Sequence, residues 1–182
     1  MTLEEIITAR CSVRSYTDEP VDEEAILKLL DMARWAPYAS ESWRFVVVRS
    51  QAGRSALASA ARQDFVATAP VVIVVGADTN AFATHHSVWH RWDAYKFRGL
   101  FYIQETAAAI ENLMLAAVEM GLGTCWIGSF NEGEVSKAVE FPASIRPVAM
   151  ITIGHPAGEQ KRADHAPLEK IVYWEKYASA DE

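Results

Sequence analysis

The chain has 182 residues, of which 51% are hydrophobic and 23% are charged, and its formal net charge is -7. This composition suits one globular domain and excludes a disordered chain, while the acidic balance disfavours a general nucleic-acid binder. No window holds the ~20 apolar residues of a membrane span, and the N-terminus lacks a signal-peptide pattern. The two cysteines make no disulfide framework. We therefore expect a cytoplasmic protein without nucleic-acid or membrane partners.

The first half of the chain alternates helical and strand patterns. A capping-box pattern at Thr2 predicts a short helix over Leu3–Ala9. Asp22 is the predicted N-cap of a second helix, Glu23–Ala36, whose apolar residues follow helical spacing. Beyond it, β-branched runs predict two buried strands with an alanine-rich helix between them. These three elements are Arg44–Arg49, Ser55–Ala61 and Val71–Gly76.

The second half contains the longest predicted helix. Apolar residues nearly encircle Tyr102–Met120, which predicts a central, buried helix that ends at Gly121. The preceding stretch, Asp78–Gly99, is the least regular of the chain. Shorter patterns predict a strand, a helix and a strand at Cys125–Ile127, Glu132–Val139 and Val148–Ile153. No linker divides the chain, so the sequence predicts a single three-layer α+β domain over residues 1–182.

The C-terminal tail, Pro167–Tyr177, mixes apolar and charged residues and has no core of its own. Its apolar side chains, such as Ile171 and Trp174, need a surface to cover them. Both a partner subunit and the chain's own domain remain possible as that surface.

The segment Arg10–Arg14 is the first candidate ligand site. Its two guanidinium groups can fork onto a phosphate or a polarised carbonyl, and Ser12 adds a hydroxyl donor. A surface cluster of ordinary arginines is the alternative. Cys11 lies beside Arg10 in a setting that favours a reactive thiolate, but a buried structural thiol is our preferred interpretation.

Two other segments permit ligand contact without requiring it. Arg44 follows the loop 37–42, where a ligand could reach the end of the sheet, although a plain helix-to-strand connection explains it as well. Glycines at 121, 123 and 128 allow close backbone approach, but the spacing and lysine of a phosphate loop are missing. Backbone N–H groups near Gly128 could face a planar ligand, and a helix cap followed by a strand is the alternative.

Three histidines, His85, His86 and His90, lie in the irregular stretch. His86 and His90 would share one helix face, which suits a metal ion. We favour a mobile aromatic lid or an interface segment there, because Trp89 and Trp92 accompany the histidines, and we expect no metal site. A serine hydrolase is disfavoured because the chain has no G-x-S-x-G turn.

Taken in order, these segments resemble the nitroreductase family of FMN-dependent NAD(P)H oxidoreductases. Each motif is modest alone, but together they span nearly the whole chain in the family's order. The matching segments are Arg10–Arg14, Tyr16–Val21, Ala33–Pro37, Trp43–Val48, Ala107–Ala117, Gly121–Gly128, Ile153–Pro156 and Pro167–Val172. The resemblance implies an α+β sandwich whose mostly antiparallel sheet is flanked by helices. It also implies an intertwined homodimer, in which the tail, about residues 160–182, packs on the partner subunit.

The resemblance also implies cofactor contacts, with FMN at the subunit interface. Arg10 and Ser12 would hold the phosphate, Arg14 would reach the pyrimidine side of the ring, and Gly128 N–H would face flavin N5. A basic tail residue would complete the phosphate site; Arg162 is favoured over Lys161 and His165. In full, the expected cofactor residues are Arg10, Cys11, Ser12, Arg14, Ser40, Trp126, Gly128, Ser129 and Arg162, with Ser40 supplied by the other subunit. No catalytic side chain is implied.

The activity that the resemblance implies is a ping-pong oxidoreduction. NAD(P)H would reduce the flavin, and a nitroaromatic, quinone or similar small acceptor would then reoxidise it. One alternative keeps the fold with another reaction, such as reductive dehalogenation, flavin breakdown or ene reduction. Another is a flavin-binding or interaction module with little turnover. The sequence identifies neither the physiological acceptor nor a preference between NADH and NADPH.

Overall fold

The chain's computed structural model describes residues 1–38, 40–81, 98–158, 160, 162 and 164–177. Helices and strands interleave along it, as the sequence predicted. The helices are α1 (Leu3–Ala9), α2 (Glu23–Ala33), α3 (Gln51–Ala61), α4 (Phe65–Thr68), α5 (Arg98–Glu119) and α6 (Glu132–Ala138). The strands are β1 (Trp43–Val48), β2 (Val71–Asp78), β3 (Gly123–Ile127) and β4 (Ile145–Gly154), and a 3-10 turn covers Leu168–Lys170.

Within the described residues, four strands form one sheet in the order β1-β2-β4-β3. Every neighbouring pair is antiparallel. The register pairs Phe45 with Val75 and Trp126 with Ile151, and a bulge interrupts the β2–β4 ladder after Val75. β2 and β4 therefore form the centre of the sheet, and β3 lies at one edge.

Helices cover both faces of this sheet. Val71, Ile73 and Val75 belong to a core cluster with residues of α2 and α5. The alternate residues Val72 and Val74 join a second cluster with residues of α3, α4 and α6. A strand buried on both faces reads as a continuous apolar run, which is why β2 shows no polar alternation. The structure thus confirms the predicted α+β, three-layer fold with an antiparallel sheet.

Helix α5 is the central helix that the sequence predicted. Ile110, Leu113 and Ala117 are fully buried in the core cluster that α5 shares with α2 and the sheet. After the helix, Gly121 adopts a φ of 72°. This left-handed conformation favours glycine, so the predicted end of the helix is confirmed. None of the helices in the described ranges is long and apolar enough to cross a membrane.

The observed helix ends differ from the predicted ones for identifiable reasons. α2 stops at Ala33 rather than Ala36. Ala36 precedes Pro37, and helices usually end at or before the residue that precedes a proline. Asp22 occupies the N-cap, but its side chain makes no capping hydrogen bond. α3 begins at Gln51 rather than Ser55, because the Ser50 hydroxyl accepts a hydrogen bond from the Gly53 N–H, at 3.2 Å.

The strands are longer than their apolar runs. β4 starts at Ile145 and includes Pro147, which pairs with Gly76 beside the bulge of the ladder. Proline is tolerated at such a bulge, whereas sequence patterns treat it as a strand boundary. The sequence also missed α4, whose four residues are too few for a helical period.

Several large apolar side chains of the described tail are exposed in the single chain. Trp174 is 85% exposed and Tyr177 is 78% exposed, and Leu168 and Ile171 are also exposed. An apolar surface of this kind marks a site of interaction with another molecule. In the single chain these side chains therefore have no apolar cover, and the surface that covers the tail stays a prediction.

Candidate functional site

The segment Arg10–Arg14 lies along the free edge of β3. Ser12 forms a parallel bridge with Thr124, and the Val13 N–H donates to the Thr124 carbonyl at 2.8 Å. A Cβ added to Gly123 would lie 2.7 Å from Val13 Cγ2, which is too close for any side chain. Glycine at this position therefore lets the arginine segment lie against the sheet.

Tyr16 fixes the end of the same segment. Its hydroxyl lies 2.6 Å from the Val13 carbonyl, to which it donates, and 2.7 Å from Thr152 Oγ1 on β4. Burial raises the pKa of Tyr16, and the hydrogen bond with Thr152 opposes that shift. The phenol therefore remains a neutral hydrogen-bond donor and ties the arginine segment to the centre of the sheet.

The arginine segment lines a cavity of about 550 Å³, which we call the arginine cavity. The residues that line it are Ile7, Thr8, Arg10, Cys11, Ser12, Arg14, Arg162 and His165. The structure thus brings together most of the predicted phosphate-binding residues, including Arg162 from the far end of the chain. Lys161, the other alternative, lies outside the described residues. Among the described residues that line the cavity, none carries a carboxylate, so the donor set suits an anion.

The two arginines of the segment remain accessible to a ligand. Arg10 Nε lies 3.8 Å from Glu111 Oε1 on α5, and both side chains are part-exposed, at 29% and 45%. An exposed pair at this distance contributes little and is easily exchanged for a stronger anion. The Arg14 guanidinium lies 6.0 Å from the centroid of the Phe65 ring. This distance is at the limit of a cation–π contact and leaves the guanidinium donors available.

The two cysteines differ in burial. Cys11 is half-buried and lines the arginine cavity, so the expectation of a buried structural thiol is wrong for it. Its neighbours Arg10 and Ser12 line the same cavity. Cys125, on β3, is 2% exposed. Burial raises the pKa of the Cys125 thiol above its ordinary 9.0, although Arg14 and a hydrogen bond with Ser12 oppose the shift.

The raised pKa of Cys125 predicts a loss of stability in alkaline solution. The native thiol keeps its proton at a pH where the thiol of the unfolded chain loses it. Its contribution to the free energy of unfolding is therefore complete below pH 9 and falls as the pH rises further. Urea unfolding between pH 8 and pH 10 should show this decline, and Cys125→Ala should flatten it. Cys11→Ala is the matched control, and an equal effect of both substitutions would contradict the prediction.

The expected ring-side residues lie at the far end of β3, outside the arginine cavity. Trp126 is 37% exposed, and Gly128 and Ser129 are exposed beyond the strand. A Cβ added to Gly128 would approach only Trp126 Nε1, at 3.8 Å. The backbone at Gly128 is therefore open to a ligand, and β3 connects it to the arginine segment at Thr124.

Ser40 lies elsewhere in the chain, and the structure does not bring it to the arginine cavity. It lines a separate cavity of about 390 Å³ with Glu41, Trp43, Arg44, Asp78, Asn80 and Ala81. Arg44, the other candidate from this region, donates to Asp78 Oδ2 at 3.1 Å and to the carbonyls of Glu41 and Trp43. Arg44 therefore braces the loop before β1.

Sequence reasoning missed Glu105, a buried carboxylate on α5 that accepts hydrogen bonds from Ser40 and Ser42. The available signal was an acidic residue within a helix whose apolar pattern predicted burial on nearly all sides. His85, His86 and His90 lie outside the described residues. In the ranges that the structure does describe, no group of three His, Cys, Asp or Glu residues could hold a metal ion.

Comparison with known proteins identifies the family. The model of the Nitroreductase family matches residues 7–64 and 57–155. A Thermus thermophilus protein named NADH dehydrogenase is 31% identical over 188 residues, which cover 91% of this chain and 92% of that protein. A Bacillus subtilis protein named FMN reductase (NAD(P)H) is 28% identical over 185 residues, which cover 97% of this chain and 74% of that protein.

A solved structure agrees with these relatives. The crystal structure of a nitroreductase family protein from Clostridium novyi superposes on this chain with a TM-score of 0.73 at 29% identity, and the match covers 86% of each chain. The fold, the order of the motifs and the family model all agree. This chain therefore belongs to the Nitroreductase family.

Proposed function

We propose that this chain is an FMN-dependent oxidoreductase that takes hydride from NAD(P)H and reduces nitroaromatic, quinone or similar small acceptors. The observation that carries the proposal is the convergence of Arg10, Ser12, Arg14 and Arg162 on one cavity in a member of this family. The relatives named FMN reductase and NADH dehydrogenase support an oxidoreductase that uses FMN and NAD(P)H.

The donor set of the arginine cavity fits the phosphate of FMN. Guanidinium groups bind phosphate oxygens through paired, charge-assisted hydrogen bonds, and a serine hydroxyl adds a further donor. We assign Arg10, Ser12 and Arg162 to the phosphate, with Cys11 beside them on the cavity wall. His165 is also at the wall, where its ring can add a hydrogen bond.

We assign the flavin ring to the exposed end of β3. The accessible backbone at Gly128 suits an N–H donor toward N5, with Trp126 and Ser129 beside it. FMN, when bound, supplies the hydride chemistry. Arg14 places a fixed positive charge near the pyrimidine edge, where it stabilises the negative charge of the reduced state. Under this assignment the chain needs no acid or base side chain.

We further propose that the protein works as a homodimer with FMN at the interface. The exposed apolar tail needs a partner surface, and a second copy of the chain offers one. Ser40 lies away from the arginine cavity of its own chain, so a second copy would bring this loop to the flavin. The free thiols Cys11 and Cys125 agree with a reducing compartment such as the cytoplasm.

A turnover assay tests the proposed activity. Under anaerobic conditions, protein loaded with FMN and freed of excess flavin should oxidise more than one equivalent of NADH or NADPH per flavin only when an acceptor such as menadione or nitrofurazone is present. Varying both substrates should give the parallel double-reciprocal lines of a ping-pong mechanism. Flavin binding without acceptor-dependent oxidation would identify a binding module instead. Oxidation that requires a halogenated or enone substrate would identify another reaction on the same fold.

A further inference from the structure

Glu105 connects the central helix to the loop before β1. Glu105 is only 6% exposed. Glu105 Oε1 accepts hydrogen bonds from the Ser40 hydroxyl and from the Ser42 N–H, both at 2.8 Å. Glu105 Oε2 accepts the Ser40 N–H at 3.2 Å. One buried carboxylate therefore holds two residues of a loop that is more than 60 positions away along the chain.

This arrangement gives the loop one defined conformation. A buried carboxylate is costly unless donors surround it, so the three hydrogen bonds favour a loop that points its donors at α5. Between the two serines, Glu41 adopts a φ of 50°, which is strained for a residue with a side chain. Arg44 Nη1 donates to the Glu41 carbonyl at 3.0 Å from the exposed side. The loop is thus fixed from the inside by Glu105 and from the outside by Arg44.

The contacts of Ser40 also determine what it can offer a ligand. Its hydroxyl proton and its N–H are both donated to Glu105, so the hydroxyl oxygen keeps its lone pairs as acceptors. Neither the loop nor Glu105 lines the arginine cavity of the same chain. The carboxylate therefore shapes a loop that lines a different cavity from the proposed phosphate-binding residues of the same chain.

We propose that Glu105 is a positioning residue for flavin binding, which fixes the Ser40–Ser42 loop in the conformation that contacts the flavin ring of a second copy. This inference rests on the proposed function, because it requires that the chain bind flavin as a dimer. Glu105 acts through the loop and does not itself contact the flavin.

The test is Glu105→Gln, which preserves the size of the side chain. The amide has one carbonyl oxygen and one NH₂ group, and the NH₂ group cannot accept the hydrogen bond that Oε2 receives. With the NH₂ group at the position of Oε2, the hydrogen bond from the Ser40 N–H is lost, and this N–H faces the NH₂ group, which is also a donor. We expect the Kd values for FMN and for riboflavin both to rise by about tenfold, as loss of a hydrogen bond to a charged group predicts.

Three further readouts separate positioning from a general structural role. Hydrogen exchange at the Ser40 and Ser42 amides should become faster in Glu105→Gln, and the visible spectrum of bound flavin should shift. Glu119→Gln, at an exposed position of the same helix, should change none of these quantities. If Glu105 acts through Ser40, a double variant with Ser40→Ala should bind flavin no worse than Glu105→Gln alone.

The outcomes are distinguishable. If the unmodified protein binds neither flavin, the proposed function fails and this inference fails with it. If the unmodified protein binds flavin and Glu105→Gln binds it equally well, only the inference fails. An additive double variant, or an unshifted spectrum with slow amide exchange, would also overturn it. If Glu105→Gln does not fold, Ser40→Ala alone should weaken flavin binding by about threefold, and an unchanged Kd would overturn the inference.

Discussion

Arg10→Ala is expected to weaken FMN binding by about 100-fold while it leaves riboflavin binding unchanged. The guanidinium of Arg10 lines the arginine cavity, and its partner in this structure is the part-exposed Glu111 at 3.8 Å. Under the proposed assignment, removing it takes away a charge-assisted contact to phosphate and little of the protein's own stability. Riboflavin lacks the phosphate, so its Kd isolates the ring contacts. Fluorescence titration of the apoprotein with each flavin measures both values.

The matched control is Arg62→Ala, which removes an equal charge from an exposed position at the end of α3. It should leave both Kd values as they are. An Arg10→Ala protein that binds FMN as tightly as the unmodified protein would refute the phosphate assignment. Equal weakening of FMN and riboflavin would mean that Arg10 supports the structure of the site rather than the phosphate.

Trp174→Glu is expected to convert the proposed homodimer to monomers at micromolar concentration, with at least a 100-fold rise in the dimer dissociation constant. Trp174 is 85% exposed in the single chain, so the substitution removes no contact that the isolated chain makes to its core. In a dimer that covers the tail, however, the glutamate would bury an unpaired charge. Sedimentation equilibrium measures the association, and retention of FMN after gel filtration measures the linked loss of the interface site.

Leu27→Glu serves as the control for this prediction. Leu27 is an exposed apolar residue on α2, outside the tail. Its substitution should leave both the dimer and the flavin content unchanged. A Trp174→Glu protein that stays dimeric would show that the tail does not form the interface. An unmodified protein that is monomeric would contradict the proposed two-chain site.

Much of the fold could be predicted because its periodic patterns are strong. β2 is buried on both faces and appears in the sequence as a nearly continuous apolar run, and α5 carries apolar residues on most of its sides, so both patterns are visible in the sequence. Errors occurred at ends, where single interactions decide. The Ser50 cap extends α3 beyond its apolar residues, and the bulge after Val75 lets β4 include Pro147.

The candidate site was predicted only in part for a different reason. Arg10, Ser12 and Arg14 lie within one five-residue segment, so their shared cavity could be anticipated from local spacing. Glu105 is different, because its role depends on the packing of α5 against a loop that is distant in sequence. Sequence patterns report periodicity and local motifs, and a single long-range hydrogen-bonding partner leaves no period to detect. The separation of Ser40 from the arginine cavity of its own chain agrees with the family resemblance, which assigned Ser40 to the other subunit, whereas the residue types alone gave no sign of it.

The most direct test of the account is a visible absorption spectrum of the purified protein, with FMN added if needed, before and after anaerobic NADH or NADPH. The account predicts a yellow protein whose flavin bands bleach when the reduced nicotinamide is added and return when menadione is added. A protein that stays colourless after incubation with FMN would contradict the assignment of the arginine cavity and the flavin chemistry together.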